Sequence, residues 1–198
     1  MPTELNNILA LDNDTIETQK SKEDLTWHEI TNAYRTRRIL TGTLGGIERL
    51  EGGSTITIVY YKNFRVVIPM TEMMINLVED DTHNYGKLSL RQNKIVNTML
   101  GCEIDFLIKG LDTKERSIVA SRKDAMLKKR QIFYFDQDSS GTPKVYPNRI
   151  VQARVISVSE KVVRTEIFGV ETSIPARDLS FDWLGDARER FRVGDHIL

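Results

Sequence analysis

Residues that could make or break bonds are scarce in this chain. Residues that could hold a polyanion are crowded. Eight bases fall between Lys109 and Arg130 (Lys109, Lys114, Arg116, Arg122, Lys123, Lys128, Lys129, Arg130), against Asp112, Glu115 and Asp124. Cations at that density suit either a phosphate-binding face or a solvated helix face. The first 29 residues are the reverse, with seven acids against Lys20 and Lys22. The formal net charge is zero. The segregation carries the signal, and the overall balance argues against tight polyanion binding, whose strength follows the number of phosphates neutralised.

Catalysis has little to work with. His28, His83 and His196 are far apart and lack metal-ligand spacing. Cys102 is the single cysteine, so no disulfide can form within the chain, which suits a reducing compartment. It follows Gly101 and opens an apolar run, the setting of a buried structural thiol. Gly42, Gly45 and Gly46 do not form a phosphate-cradling loop and fit a bulged or coiled strand instead. No metal, no cofactor and no enzymatic activity are expected. No run approaches the roughly 20 apolar residues of a membrane span. Ile8-Leu9-Ala10-Leu11 is too short for a signal peptide and no base precedes it. The expected compartment is the cytoplasm.

Positioning falls to strands. Residues 1–20 read as a flexible acidic tail and 21–36 as an accessory helix, capped by Ser21 and packed through Trp27, Ile30 and Tyr34. A strand follows from Ile39 to about Ile47. Thr55–Tyr61 and Phe64–Ile68 are β-branched and aromatic runs separated by Lys62-Asn63, the pattern of a tight hairpin, with Asn63 as the residue tolerant of positive φ. A two-residue loop puts Tyr61 and Phe64 on one face and Tyr60 and Arg65 on the other, the latter toward solvent because an unpaired buried arginine is costly. Met70, Met73 and Met74 read as core fillers. Glu79-Asp80-Asp81 reads as an acidic turn, and Ile95, Val96, Met99 and Leu100 as a helical stripe stopped by Gly101. Strands at Glu103–Ile108 and Ser117–Ser121 complete a five-stranded unit over residues 37–135, closed by a basic helix from Arg122 to about Phe135. Residues 136–148 are the linker.

The chain then repeats itself. Val66-Val67-Ile68-Pro69 and Thr172-Ser173-Ile174-Pro175 both end a strand on Ile-Pro. Counted back from the prolines, Phe168-Gly169 falls on Lys62-Asn63, and Gly194 corresponds to Gly101. The second copy, 149–198, is expected to have an opening strand at Arg149–Val155, a hairpin, a helical stretch at Trp183–Phe191 and the start of a fourth strand. A fifth strand is missing. The expectation is a chain that continues past Leu198, or a borrowed strand that covers the exposed edge.

These pieces resemble the S1 domain family, RNA-binding units of the oligonucleotide/oligosaccharide-binding (OB) fold named for ribosomal protein S1. In the second copy the resemblance rests on Gln152-Ala153-Arg154-Val155, Phe168-Gly169-Val170-Glu171-Thr172-Ser173-Ile174-Pro175, Asp178-Leu179-Ser180 and Val193-Gly194-Asp195. In the first it rests on Val67-Ile68-Pro69, Gly101 to Phe106 and Val119-Ala120-Ser121-Arg122. It implies a mainly β protein with accessory helices: tandem five-stranded OB-fold barrels, the second incomplete.

The family binds single-stranded nucleic acid on the face of strands two and three, by base stacking and by cations along the backbone path. That implies a nucleic-acid site at Phe168, Arg154, Lys161, Arg164 and Arg177 in the second copy. In the first copy it implies Tyr60, Phe64 and Arg65, with Arg122 and Lys123 beyond them. The partner implied is single-stranded RNA, with single-stranded DNA as a lesser ligand, in a role in translation at or near the ribosome. One feature departs from the family. Its frequent aromatic before Ile-Pro is here Val67 or Ser173. This favours the alternative, a protein–protein module that kept the OB fold without nucleic-acid binding.

Overall fold

Leu44 and Val155 make the same two hydrogen bonds in two different sheets. The Leu44 amide donates to Cys102 O at 2.8 Å and its carbonyl accepts from Gly101 at 2.9 Å; the Val155 amide donates to Asp195 O at 2.7 Å and its carbonyl accepts from Gly194 at 2.8 Å. Gly101 and Gly194 both have positive φ, 83° and 93°. The repeat read from the sequence is therefore a repeat of backbone geometry. The computed structural model describes residues 13–75, 85–180, 182 and 184–198.

Helix α1 (Asn13–Thr36) leads into β1 (Leu40–Arg49), β2 (Thr55–Tyr61) and β3 (Phe64–Pro69). After a 3-10 turn at Met70–Glu72 come α2 (Tyr85–Thr98), β4 (Glu103–Asp112), β5 (Ser117–Ser121) and α3 (Arg122–Arg130), which runs into a π-helical turn at Gln131–Phe135. The strands form a five-stranded mixed sheet in the order β1-β2-β3-β5-β4, and β4 pairs back onto β1. The β3–β5 pair is parallel. The second sheet contains β6 (Ala153–Val158), β7 (Val162–Ile167), β8 (Val170–Pro175) and β9 (His196–Ile197). It is four-stranded, ordered β8-β7-β6-β9.

β1 carries a bulge between Leu44 and Gly46, and β6 carries one at the same place, between Val155 and Ser157. Both Ile-Pro steps end their strands and enter a single 3-10 turn, Met70–Glu72 in one copy and Ala176–Asp178 in the other. Proline supplies the fixed φ and withholds the donor, so the ladder stops there.

Alternate residues of β1–β5 fill the main core, among them Leu40, Leu44, Val59, Tyr61, Phe64, Val66, Ile68, Ile104, Phe106 and Ile118. α1 adds Ile30 and Ala33, with Trp27 against Phe64 at 5.6 Å. The second core is small: Val155, Val163, Ala176 and Ala187. Ile156, the bulged residue of β6, belongs to the first core and not to the second. Removing such a side chain from water is worth about 1.5–3 kcal/mol, here spent on joining the two units.

Several expectations change. α1 starts at Asn13, so Ser21 is not its cap and residues 13–20 are helical rather than a tail. Tyr34 is exposed, and Ala33 takes its expected place in the packed stripe. The same is true of Leu100, while Val96 and Met99 are buried. The left-handed residue of the first hairpin is Lys62, φ 52°, rather than Asn63; the second has positive φ at both Phe168 and Gly169, 46° and 94°. The opening strand of the second copy starts at Ala153. Between residues 184 and 191 the helical content is one 3-10 turn, Ala187–Glu189. His83 and the acidic run Glu79-Asp80-Asp81 lie outside the described residues.

Candidate nucleic-acid interface

The first hairpin pairs Tyr61 with Phe64 and Tyr60 with Arg65. Tyr61 and Phe64 are buried, and Tyr60 is 51% exposed. Beneath Tyr60 lies Gly45, the bulged residue of β1. A Cβ at Gly45 would sit 2.2 Å from Tyr60 Cε2, so the phenol ring rests on bare backbone. Arg65 is held beside it by Glu48. Lys62, at the hairpin tip, donates to Glu29 at 2.5 Å, and Arg38 donates to the same carboxylate at 2.9 Å. These bonds clamp α1 to the hairpin. Hydrogen bonds from Lys62 and then from Tyr61 hold the Glu29 carboxyl below its ordinary pKa. Burial, and then the bond to Glu29, push the Tyr61 phenol up to about 12.

The second hairpin is built to the same register and used differently. Tyr60 lies opposite Thr43 and Arg65, and Glu166 lies opposite Arg154 and Glu171. Two carboxylates facing each other across an antiparallel pair repel. The cations that relieve them come from α3. Arg122, fully buried, donates to Glu171 Oε1 at 2.5 Å and to Met73 O at 2.9 Å. Lys129 donates to Glu166 and, at 2.6 Å, to Asp105 Oδ2. Arg164 donates to the other Glu171 oxygen at 2.8 Å. Arg154 reaches Glu103 O at 3.1 Å and Asp105 Oδ2 at 3.3 Å. Seven residues span two turns of helix, so Arg122 and Lys129 lie on one side of α3. Burial pushes the Asp105 carboxyl up, but the Lys129 charge and hydrogen bond, the Thr41 hydroxyl and the Arg154 charge outweigh it and hold the pKa below the ordinary value.

The hairpin tip is locked as well. A Cβ on Gly169 would meet Met126 O at 2.3 Å. Arg130 donates to Gly169 O at 2.6 Å, and the Tyr134 hydroxyl donates to Ile167 O at 2.9 Å. Phe168 stacks on Phe133, with centroids 4.1 Å apart and planes at 7°.

The ten residues expected to meet nucleic acid therefore divide. Tyr60 and Arg65 come together on an open face. Lys123 is exposed on α3. Lys161 and Arg177 are exposed and line one cavity of about 330 Å³ with Pro175 and Leu184. Phe64 faces the core, because the two-residue loop forces it to the side of Tyr61. Arg122, Arg154, Arg164 and Phe168 are spent on joining the units. Glu166 and Glu171 were missed, although two acids flanking a two-residue turn are a readable sign that cations must pack over them.

Cys102 is buried, and burial raises its thiol to about 12. Among the described residues, no group of three or more His, Cys, Asp or Glu is placed to hold a metal ion, and no helix is long and apolar enough to cross a membrane. No model of a known protein family matches the chain, and no curated protein matches it.

Proposed function

We propose that this chain is a non-enzymatic single-stranded RNA-binding protein of the S1 type, whose five-stranded sheet is an OB-fold barrel. The cycle of pairings β1-β2-β3-β5-β4 supports the fold, as does α2 lying between β3 and β4. The observation that carries the function is Tyr60. A half-exposed phenol lying flat over a glycine, beside an arginine, offers a ring face to a base and a cation to a phosphate. The S1 resemblance is the ground for assigning the protein to translation and to the cytoplasm. In this reading the second unit is a docked copy that fixes the first and lends Lys161, Arg177 and Lys123 as outlying cations.

The test is a titration of labelled single-stranded RNA, single-stranded DNA and duplex at two salt concentrations. Binding confined to single strands, weakening with a salt slope of roughly −0.7 per phosphate contacted, is the expected result. No binding up to about 100 μM in low salt, the weak end of non-specific binding, overturns it.

One observation favours a second reading, a fold kept for protein contact. The β7–β8 face carries Glu166 and Glu171 and is occupied by α3, so in this unit the face binds protein. An OB-type module that binds only protein would leave Tyr60→Ala without effect on any nucleic-acid titration.

A further inference from the structure

Residues 136–148 do not behave as a slack tether. Asp138 Oδ1 accepts from the Ser140 amide at 2.8 Å and the Thr142 amide at 3.2 Å. The Val145 amide donates to Phe133 O at 2.8 Å. The segment is folded back over the Phe133–Phe168 stack. Lys144 lies over the Phe133 ring at 5.1 Å, and Arg149 lies over Tyr146 at 5.3 Å. The Arg149 guanidinium also donates to Lys144 O. Between these groups is a cavity of about 240 Å³, lined by Phe133, Phe168, Lys144, Arg149, Val145 and Ile150 among others.

Its chemistry is selective. Two cations line it and no carboxylate does. Elsewhere on the molecule cations commonly sit on carboxylates, as Arg38, Arg116 and Lys129 do. Lys144 and Arg149 are instead held over aromatic rings, an arrangement that leaves their full charge toward a ligand. The nearby acid whose titration feels Arg149 is Asp138, and its oxygen is engaged in its own turn. The walls are aromatic and aliphatic, and Ile150 is 81% exposed at the mouth. At about 240 Å³ the cavity is smaller than the roughly 300–1,000 Å³ that enclose a whole drug-sized ligand. It takes one planar group while the rest of the ligand stays outside.

We infer that this groove is a second nucleotide site, separate from Tyr60, which admits a base against the apolar wall and holds the attached phosphate with Lys144 and Arg149. The inference rests on the single-strand-binding reading above, and it places the bound strand along the seam between the two units as well as on the first hairpin. The shared chemistry is that of a nucleoside phosphate, free or as one unit of a strand.

The test uses the full chain with two probes, adenosine monophosphate by calorimetry and a fluorescent single-stranded RNA of about ten nucleotides, within the 4–16 per OB fold that such strands occupy. Three variants are compared: Lys144→Glu with Arg149→Glu, Ile150→Asp, and Tyr60→Ala. Unchanged circular dichroism and urea midpoint qualify each protein for use, and Ile150→Asp, a change at an exposed side chain, serves if charge reversal disturbs the fold. The expected result is that the charge-reversed pair and Ile150→Asp each weaken the RNA about tenfold, with the pair reducing the salt slope by about 0.7 per cation removed. If adenosine monophosphate binds and loses binding in the same variants, free nucleotide is also a ligand; if only RNA responds, the strand is. RNA binding lost in Tyr60→Ala but unchanged in the groove variants overturns this inference and leaves the hairpin reading standing. Binding lost in the groove variants and unchanged in Tyr60→Ala does the opposite. No binding of either probe to the unaltered chain overturns both.

Discussion

Glu166 occupies in β7 the position that Tyr60 occupies in β2: each lies one residue before the end of its strand and opposite the second residue of the next, Glu171 or Arg65. One position is open to solvent, and the other is filled by α3. A single backbone plan thus yields one face for a ligand and one for its own neighbour. The residue at that position decides which.

Glu171→Gln is expected to destabilise the protein by about 3–5 kcal/mol, the usual result of stranding one member of a buried ion pair. Arg122 is fully buried and its Nε has no hydrogen-bond partner, so it has no alternative acceptor of comparable strength. Urea unfolding measures the loss. Arg122→Met with Glu171→Gln should recover much of it, and a double variant no more stable than Glu171→Gln would contradict the pairing.

Tyr60→Ala should cost about 1–3 kcal/mol of RNA affinity, the range for loss of one base–aromatic stack, with little change in the urea midpoint because the ring is half exposed. Gly45→Ala offers an independent probe. Its new Cβ would collide with the Tyr60 ring and swing it off the strand without removing it. Fluorescence anisotropy should then show weakened binding in both. Gly45→Ala binding RNA as the unaltered chain does would remove Tyr60's posture from the account.

Gly169 and Gly194 separate strain from contact. Both have positive φ, but a Cβ on Gly194 meets nothing within 4 Å while one on Gly169 meets Met126 O. Gly194→Ala should cost about 1–2 kcal/mol of backbone strain. Gly169→Ala adds overpacking against a helix backbone and should cost about 2–5 kcal/mol in all. Amide exchange should localise the second loss to α3 and β7–β8. Equal costs at the two sites would mean that the hairpin does not press on the helix.

Acid should loosen the seam. The folded-state pKa of Asp105 lies below its ordinary value, so the unfolded chain binds this proton more readily. The stability it confers is complete above the unfolded value of about 3.9 and is lost as pH falls through the folded pKa. Lys129→Met, which removes the leading cation, should flatten the fall in unfolding free energy between about pH 5 and pH 2. A fall just as steep in that variant would assign the acid sensitivity to other groups.

Cys102 should resist alkylation in the folded protein. Its thiol is buried and raised to about 12, and the thiolate is the reactive form. Modification at pH 8 should therefore proceed at the rate of unfolding, and rise with urea in step with loss of circular dichroism. Fast labelling in the absence of denaturant would rule out a sealed core around it.

Much of the first unit could be read in advance because its signals are local. Thr55–Tyr61 and Phe64–Pro69 are β-branched, the loop between them has two residues, and register then follows by counting. The Ile-Pro steps and the Gly101–Gly194 match were legible for the same reason. What could not be read was where the second unit would rest. Arg122 and Lys129 looked like members of a solvated cluster, since a charged residue carries no mark of the partner that will bury it. Phe168 looked like a stacking platform, and it is one, but its partner is Phe133. The 3-10 turn at Ala187–Glu189 replaced a predicted helix because Asp186 takes the Arg188 amide at 2.9 Å and ends the turn locally.

Ile156 also gives the molecule an order in time. It is made after every strand of the first sheet, yet its side chain completes that earlier core. The second sheet holds only four fully buried hydrophobic side chains of its own among the described residues, too few to define a shape unaided. During synthesis the first half can close before the second emerges, and the second then takes its form on a surface already set. Damage to β1 or α3 should therefore be inherited downstream, as failure of β6–β9 to settle, and a lesion in β8 should leave the earlier half largely intact.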